Sequence, residues 1–268
     1  MPVLYSHSAV TVTDLRASLS YYRDALGLEI ANEKCTADRL SVDLRLPGTD
    51  RVWVLEEYPR QTRYPASSRP CDPGFAHLCL YVGDAEAVFA RLQALGFTSR
   101  APVATVASGA LAGAKAVYTM DPDGFVVELY QRAGETGPPA VTGFFHHGLT
   151  VTDIEATLAF WQNQMGVELL RRSSAPGAMA GAIAGLEFER VEAAFVGLAD
   201  AVAIEIFEYR GIERHSALAR AADPASSRLA LRVADPDGLC ERLGGYRDAS
   251  GVPRVTDPTG YPILLLPL

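Results

Sequence analysis

Three of the five histidines in this chain of 268 residues occupy equivalent places in its sequence. Each stands seven residues before an aspartate, and the pairs are His7–Asp14, His77–Asp84 and His146–Asp153. At a fourth aspartate of this kind, Asp235, the residue seven places earlier is Arg228. Neutral imidazole is a frequent ligand of transition metals, so a histidine repeated at one position predicts a metal site.

Carboxylates would complete such a ligand set. Glu128 lies on an apolar segment seven residues after Asp121, and Glu205 lies on the corresponding segment of the second half. The two other equivalent positions hold Val54 and Leu264, whose side chains cannot bind a metal.

The first half of the chain therefore offers His7, His77 and Glu128 as metal ligands. Two histidines and one carboxylate suit Fe(II), while Mn(II), Zn(II) and Ni(II) remain compatible with the same donors. In the second half Arg228 replaces an imidazole, and arginine keeps its proton, so we expect no complete metal site there. Glu56 lies on the same strand face as the missing carboxylate of the first half and is an open candidate for a fourth ligand.

These residues belong to a repeated unit of one strand, one helix and further strands. Residues 9–30 match residues 148–169 at a constant offset of 139, and weaker copies begin at residues 77 and 228. Each copy opens with an apolar β-branched run, and an aspartate follows at a helix N-cap position. The apolar face of the first helix consists of Leu15, Leu19, Tyr22 and Leu26. The fold class is therefore α+β.

Turn signals precede the last strand of the second and fourth copies. Asp121-Pro122-Asp123-Gly124 and Asp257-Pro258-Thr259-Gly260 have the residues that favour a type I turn. A segment rich in Gly and Pro, residues 134–139, separates the two halves, and residues 59–74 separate the first two copies.

A strand that begins with His, an Asp-Leu helix start, and an Asp-Pro-Asp-Gly turn before a Glu-bearing strand together resemble the vicinal oxygen chelate superfamily. This superfamily includes the glyoxalases, the bleomycin-resistance proteins and the extradiol dioxygenases. The resemblance covers nearly the whole chain. It implies four βαβββ modules paired into two domains, each a curled mixed sheet with helices outside and a metal in its concave face. We expect a metal-bearing domain at 1–133 and a second domain without a complete metal site at 143–268.

The resemblance also suggests a reaction. Residues 118–128 fit the Tyr-x-x-Asp-Pro-x-Gly-x-x-x-Glu half of the extradiol motif, although residues 106–116 lack the histidine that precedes it. By this resemblance Tyr118 would hydrogen-bond an oxygen of the substrate or of the metal-bound group. The expected function is an Fe(II)-dependent ring-cleaving dioxygenase that combines dioxygen with a small aromatic or enolic diol.

Two other functions stay open. Some tandem members of the superfamily pair their modules out of order, and a sheet shared by the second and third modules would assemble His77, Glu128, His146 and Glu205. Such a four-ligand site is glyoxalase-like and would serve a lyase, isomerase or epimerase that acts through a metal-bound enediolate. The second alternative is a non-catalytic protein that binds a small molecule in a metal-free cup lined by Trp53, Tyr118 and Tyr130.

Composition limits the location and the partners of the chain. The net charge is −8 and no basic patch interrupts it, so nucleic acid is not an expected partner. No apolar run reaches the length of a membrane span, and the N-terminus lacks the pattern of a secretory signal. The four cysteines form no CxxC pair, which is typical of a reducing cytoplasm. We expect a cytoplasmic protein with a small-molecule substrate, and a homodimer is compatible with the sequence.

Overall fold

A computed structural model of the chain describes residues 2–59, 68–107, 109 and 111–268. Part of the connection predicted at residues 59–74 therefore lies outside the described residues. Across the described ranges, no helix combines the length and the apolar character needed to cross a membrane.

The four predicted modules are all present, which confirms the α+β class. The first contains β1 (Leu4–Val12), α1 (Leu15–Leu19), β2 (Glu29–Cys35), β3 (Leu40–Arg45) and β4 (Val52–Glu57). The second contains β5 (Ala76–Val82), α2 (Ala85–Ala94), β6 (Ala104–Thr105), β7 (Lys115–Met120) and β8 (Val126–Gln131). The third contains β9 (Val141–Thr150), α3 (Ile154–Ala159), β10 (Glu168–Pro176), α4 (Gly177–Ala184), β11 (Arg190–Gly197) and β12 (Ala203–Arg210). The fourth contains β13 (Ser227–Val233), α5 (Pro236–Arg242), β14 (Tyr246–Arg247), β15 (Pro253–Thr256) and β16 (Pro262–Pro267). π-Helical turns at Ser20–Ala25 and Phe160–Gln164 prolong α1 and α3.

Local sequence signals account for the helix starts and the turns. The side chain of Asp14 accepts hydrogen bonds from the backbone N–H groups of Arg16 and Ala17, and the three equivalent aspartates cap their helices in the same way. The Asp121 carboxylate accepts backbone hydrogen bonds within its turn, where the Gly124 N–H also donates to the Asp121 carbonyl at 3.0 Å. Aspartate therefore serves as a local backbone cap at both kinds of position.

Sheet pairing differs from the expected order. Within the described residues one eight-stranded sheet runs β14-β15-β16-β13-β1-β4-β3-β2, and the other runs β10-β11-β12-β9-β5-β8-β7-β6. The first module therefore pairs with the fourth, through β1 and β13, and the second pairs with the third, through β5 and β9. The expectation that the first two modules share a sheet was wrong, and each sheet takes strands from both sides of the boundary at 133–143.

Connection lengths explain this pairing. Only residues 132–140 join β8 to β9, whereas residues 58–75 join β4 to β5, a connection twice as long. Short connections favour pairing of consecutive elements. The preference for short connections suggested pairing within each half. Applied to the actual connection lengths, it favours pairing of the second module with the third.

The two sheets repeat one register at their centres. In the second sheet Cys79 lies opposite His146, and in the first sheet Ala9 lies opposite Arg228. His7 and Arg228 therefore occupy the places in the first sheet that His77 and His146 occupy in the second.

Candidate metal centre

Four side chains from four neighbouring strands converge on the second sheet. They are His77 on β5, Glu128 on β8, His146 on β9 and Glu205 on β12, and their ligand atoms all lie within 4.8 Å of one another. The two Nε2 atoms are 3.1 Å apart, and Nε2 of His146 lies 2.9 Å from Oε2 of Glu205. All four residues are buried, with 1% to 8% of their surface exposed.

One row of paired positions crosses five strands of this sheet. It runs from Arg171 through Phe195, Glu205 and Gly148 to His77. Laterally paired residues point to the same face of a sheet, so these side chains share the concave side. Gly148 leaves the space that the imidazole fills, because a Cβ atom there would lie 1.9 Å from Cε1 of His77.

A second row supplies the other ligands. Tyr118 pairs with Glu128, Glu128 with Cys79, and Cys79 with His146. The two rows are related by the repeat, and each contributes one histidine and one glutamate. The four candidate ligands therefore meet because the strands β8, β5, β9 and β12 are consecutive in the sheet.

The spacing of the donor atoms fits a metal ion. Neighbouring ligands about 2.1 Å from an ion lie about 3.0 to 3.4 Å apart at octahedral or tetrahedral angles. The distances between the histidine Nε2 atoms and the glutamate Oε2 atoms are 2.9 to 3.6 Å. Two buried carboxylates also need compensating positive charge, which a divalent cation supplies. In the described part of the chain this is the one group of side chains with such an arrangement.

Electrostatics at the site favour positive charge. Burial works against the charged imidazolium of His146, but Glu205 and Glu128 outweigh burial and raise the pKa of His146 to about 9. Burial would raise the pKa of Glu128, yet hydrogen bonds from His146 and His77 hold it well below its usual range. In the metal-free protein a proton on His146 therefore provides part of the positive charge that the carboxylates require.

A cavity of about 170 Å³ opens onto three of the four ligands. Its walls are mostly apolar and aromatic, and helix α4 contributes Met179, Ala180, Ile183 and Ala184 from one face. Six aromatic side chains line it, namely Tyr118, Tyr130, Phe145, Phe195, Phe207 and Tyr209. The arrangement can hold a small molecule against a metal and keep most water away from it.

Comparison with known proteins agrees with this architecture. A model of the Glyoxalase/Bleomycin resistance protein/Dioxygenase superfamily matches residues 5–129. The match covers a little under half of the chain and makes residues 5–129 similar to this superfamily. A lactoylglutathione lyase from Arabidopsis thaliana is 25% identical over 175 residues, which cover 64% of this chain and only 58% of that relative.

Solved structures of the superfamily share the fold over the whole chain. Glyoxalase I from Zea mays has a TM-score of 0.70 at 19% identity and covers 99% of this chain and 92% of its own. A Bacillus subtilis protein described as a dioxygenase has a TM-score of 0.62 at 14% identity, with 98% and 84% of the two chains covered. At these identities the likeness concerns the fold alone.

The structure brings together two of the three residues that the sequence predicts as metal ligands. His77 and Glu128 lie in the cluster, and Tyr118 lines the cavity beside them. His7 lies on β1 in the other sheet, where burial lowers its pKa to about 4. It does not reach the cluster because β1 pairs with β13 and not with β5.

The other candidate ligand, Glu56, has different partners. Its carboxylate forms an ion pair with the buried guanidinium of Arg228, and Nε of Arg39 lies 3.4 Å from it. An arginine therefore supplies the positive charge in the first sheet. The residues that complete the cluster in the second sheet, His146 and Glu205, had a sequence signal in the repeat itself. The sequence offered the pairing of the second and third modules only as an alternative to pairing within each half, and the structure has that alternative.

Proposed function

We propose that this protein is a metal-dependent lyase or isomerase that acts through an enediolate on a small molecule with two adjacent oxygen atoms. The four-ligand cluster is the observation that carries the proposal. Four protein ligands on a six-coordinate ion leave about two open positions, enough for two substrate oxygens. A ring-cleaving dioxygenase needs about three, because dioxygen must bind beside both substrate oxygens, so the geometry favours the lyase or isomerase.

His77, Glu128, His146 and Glu205 would hold the ion. When bound, a divalent ion acts as a Lewis acid that polarises adjacent substrate oxygens and makes the neighbouring C–H bond acidic. One of the two glutamates accepts that proton and returns it to the adjacent carbon. Histidine and carboxylate donors are compatible with several divalent ions, so the donor set leaves the metal open.

Tyr118 has the properties of a hydrogen-bond donor to the substrate. Burial, reinforced by the charge of Glu128, raises the pKa of its hydroxyl well above the usual range, so the proton stays on the oxygen at neutral pH. The aromatic walls and helix α4 make the cavity lining mostly apolar, and low polarity strengthens the electrostatic interactions beside it.

Metal content and proton exchange test the proposal together. We would measure bound metal in the wild type, in His146→Ala and Glu205→Gln, and in the matched first-sheet variants His7→Ala and Glu56→Gln. We expect about one divalent ion per chain, lost only when the second-sheet residues are changed. Exchange of a substrate C–H proton with deuterated solvent, followed by NMR on a panel of α-hydroxyketones and α-ketoaldehydes, should require the same residues.

Other outcomes point to other functions. Oxygen consumption with catechols by the iron-loaded protein, without proton exchange, would favour the dioxygenase. Absence of metal from all variants and from the wild type would refute the proposal and leave a binding protein.

A further inference from the structure

In the part of the chain that the structure describes, the cavity wall includes one arginine side chain that the proposed reaction does not use. Arg171 lies on β10, at the end of the row that contains the ligands Glu205 and His77. Its guanidinium carbon sits 4.6 Å from the centre of the Phe195 ring. Among the residues that the structure describes, no carboxylate forms an ion pair with Arg171.

The neighbouring arginine behaves differently. Arg172 points to the other face of the strand and forms an exposed ion pair with Glu155. Arg171, which lines the cavity, is therefore available to bind an anionic group of a ligand. Its guanidinium is held in place by its contact with the ring of Phe195. Arg172 provides a matched control because it is also an arginine on β10 but points away from the cavity, where it pairs with Glu155.

Spacing along the row indicates the size of that ligand. Strand β10 is two strand positions from β12, which carries Glu205, and two spacings correspond to about 10 Å. Between the two lies Phe195, with Phe145 packed 6.1 Å from it, centre to centre. The wall thus presents, in order, a metal centre, an aromatic surface and a cation.

We infer, on the basis of the proposed function, that the substrate is a small aromatic or otherwise flat apolar molecule with two vicinal oxygens at one end and a single anionic group at the other. Such a substrate is not a glutathione conjugate. Arg171 binds the anionic group, Phe195 supports the apolar body, and the metal centre receives the two oxygens. Arg171 is thereby a specificity-determining residue.

Charge and volume both argue against glutathione. A glutathionyl group has two carboxylates and one ammonium at neutral pH, whereas among the residues that the structure describes the cavity lining includes one arginine, Arg171, and no lysine. The cavity of about 170 Å³ is also smaller than the roughly 300 to 1,000 Å³ that is typical of sites for drug-sized ligands. Helix α4 limits the volume because its residues Met179, Ala180, Ile183 and Ala184 line one side of the cavity.

Binding of three hydroxamate probes to the metal-loaded protein tests the inference by calorimetry. Benzohydroxamate has the chelating oxygens and the ring, 4-carboxybenzohydroxamate adds the distal anion, and the third probe is a glutathione conjugate with the same hydroxamate. A hydrogen-bonded charge pair is worth enough to make 4-carboxybenzohydroxamate bind about 10-fold or more tightly than benzohydroxamate. Arg171→Gln should remove that advantage and leave benzohydroxamate unchanged, and Arg172→Gln should preserve it.

The inference is overturned if Arg171→Gln and Arg172→Gln behave alike, or if the glutathione conjugate binds most tightly. A failure of the proposed function looks different, because then no probe would bind in a metal-dependent way and the protein would hold no stoichiometric metal. Metal-dependent binding of benzohydroxamate with no effect of Arg171→Gln would leave the metal site intact and refute only the substrate class.

Discussion

Gly148→Ala should disable the metal centre without removing any ligand. The added Cβ would lie 1.9 Å from Cε1, 2.4 Å from Nδ1 and 2.4 Å from Nε2 of His77. Ordinary contacts of a Cβ atom begin near 3.4 Å, so the imidazole must move by about 1.5 Å. Displacements of about 1 Å cost roughly 100-fold in function, and loss of ligand positioning typically costs about 10- to 100-fold in metal affinity.

The backbone does not provide another reason for a defect. Gly148 does not have a positive φ, and alanine in a strand is generally more stable than glycine. Gly143→Ala is the matched control on the same strand, because its nearest neighbour, Cδ2 of Tyr81, would lie at 3.5 Å.

Calorimetric titration of the metal-depleted proteins with Zn(II) or Ni(II) would measure the effect, with circular dichroism to verify folding. We expect the metal Kd of Gly148→Ala to rise about 10- to 100-fold while that of Gly143→Ala stays within about 2-fold of the wild type. If Gly148→Ala bound metal as tightly as the wild type, His77 could not be a ligand in the position described.

Three further predictions concern protons, substrate and stability. The pKa of His146 is about 9 without metal, so a metal ion that binds this imidazole at neutral pH must displace its proton. The apparent affinity for the metal should therefore rise about tenfold per unit of pH up to about pH 9 and stay constant above it. Calorimetry in buffers of different ionisation enthalpy should show about one proton released per bound ion at pH 7.5. The Tyr118→Phe variant should keep its metal, but its kcat in steady-state assays should fall about 10- to 100-fold because one hydrogen bond to a charged substrate oxygen is removed. An unchanged kcat would exclude Tyr118 as a hydrogen-bond donor to the substrate. Arg228→Leu should lower the free energy of unfolding, measured by urea denaturation, by about 3 kcal/mol because it leaves the buried Glu56 with weaker partners. Adding Glu56→Gln to this variant should recover most of the lost stability. Additive losses in the double variant would argue against the ion pair.

The repeat made most of the site visible in the sequence. Two ligands of the cluster, His77 and Glu128, were predicted as ligands, and His146 and Glu205 were identified as their equivalents in the third module. This was feasible because N-cap aspartates and turn residues act through neighbouring backbone groups, so the sequence alone positions them relative to each strand. Metal binding by the four residues remains a prediction that the proposed measurements address.

Tertiary structure decided which modules share a sheet. His7 and His146 have the same place in the repeat, yet only His146 lies beside His77, because β5 pairs with β9 and β1 pairs with β13. Strand pairing between modules depends on connection lengths and on the burial of whole sheet faces, which no single residue pattern encodes. The position of Arg171 relative to Glu205 arises from the same pairing, since β10, β11 and β12 align residues that are distant in sequence. Local chemistry therefore defined what each residue could do, and the order of the strands determined which residues act together.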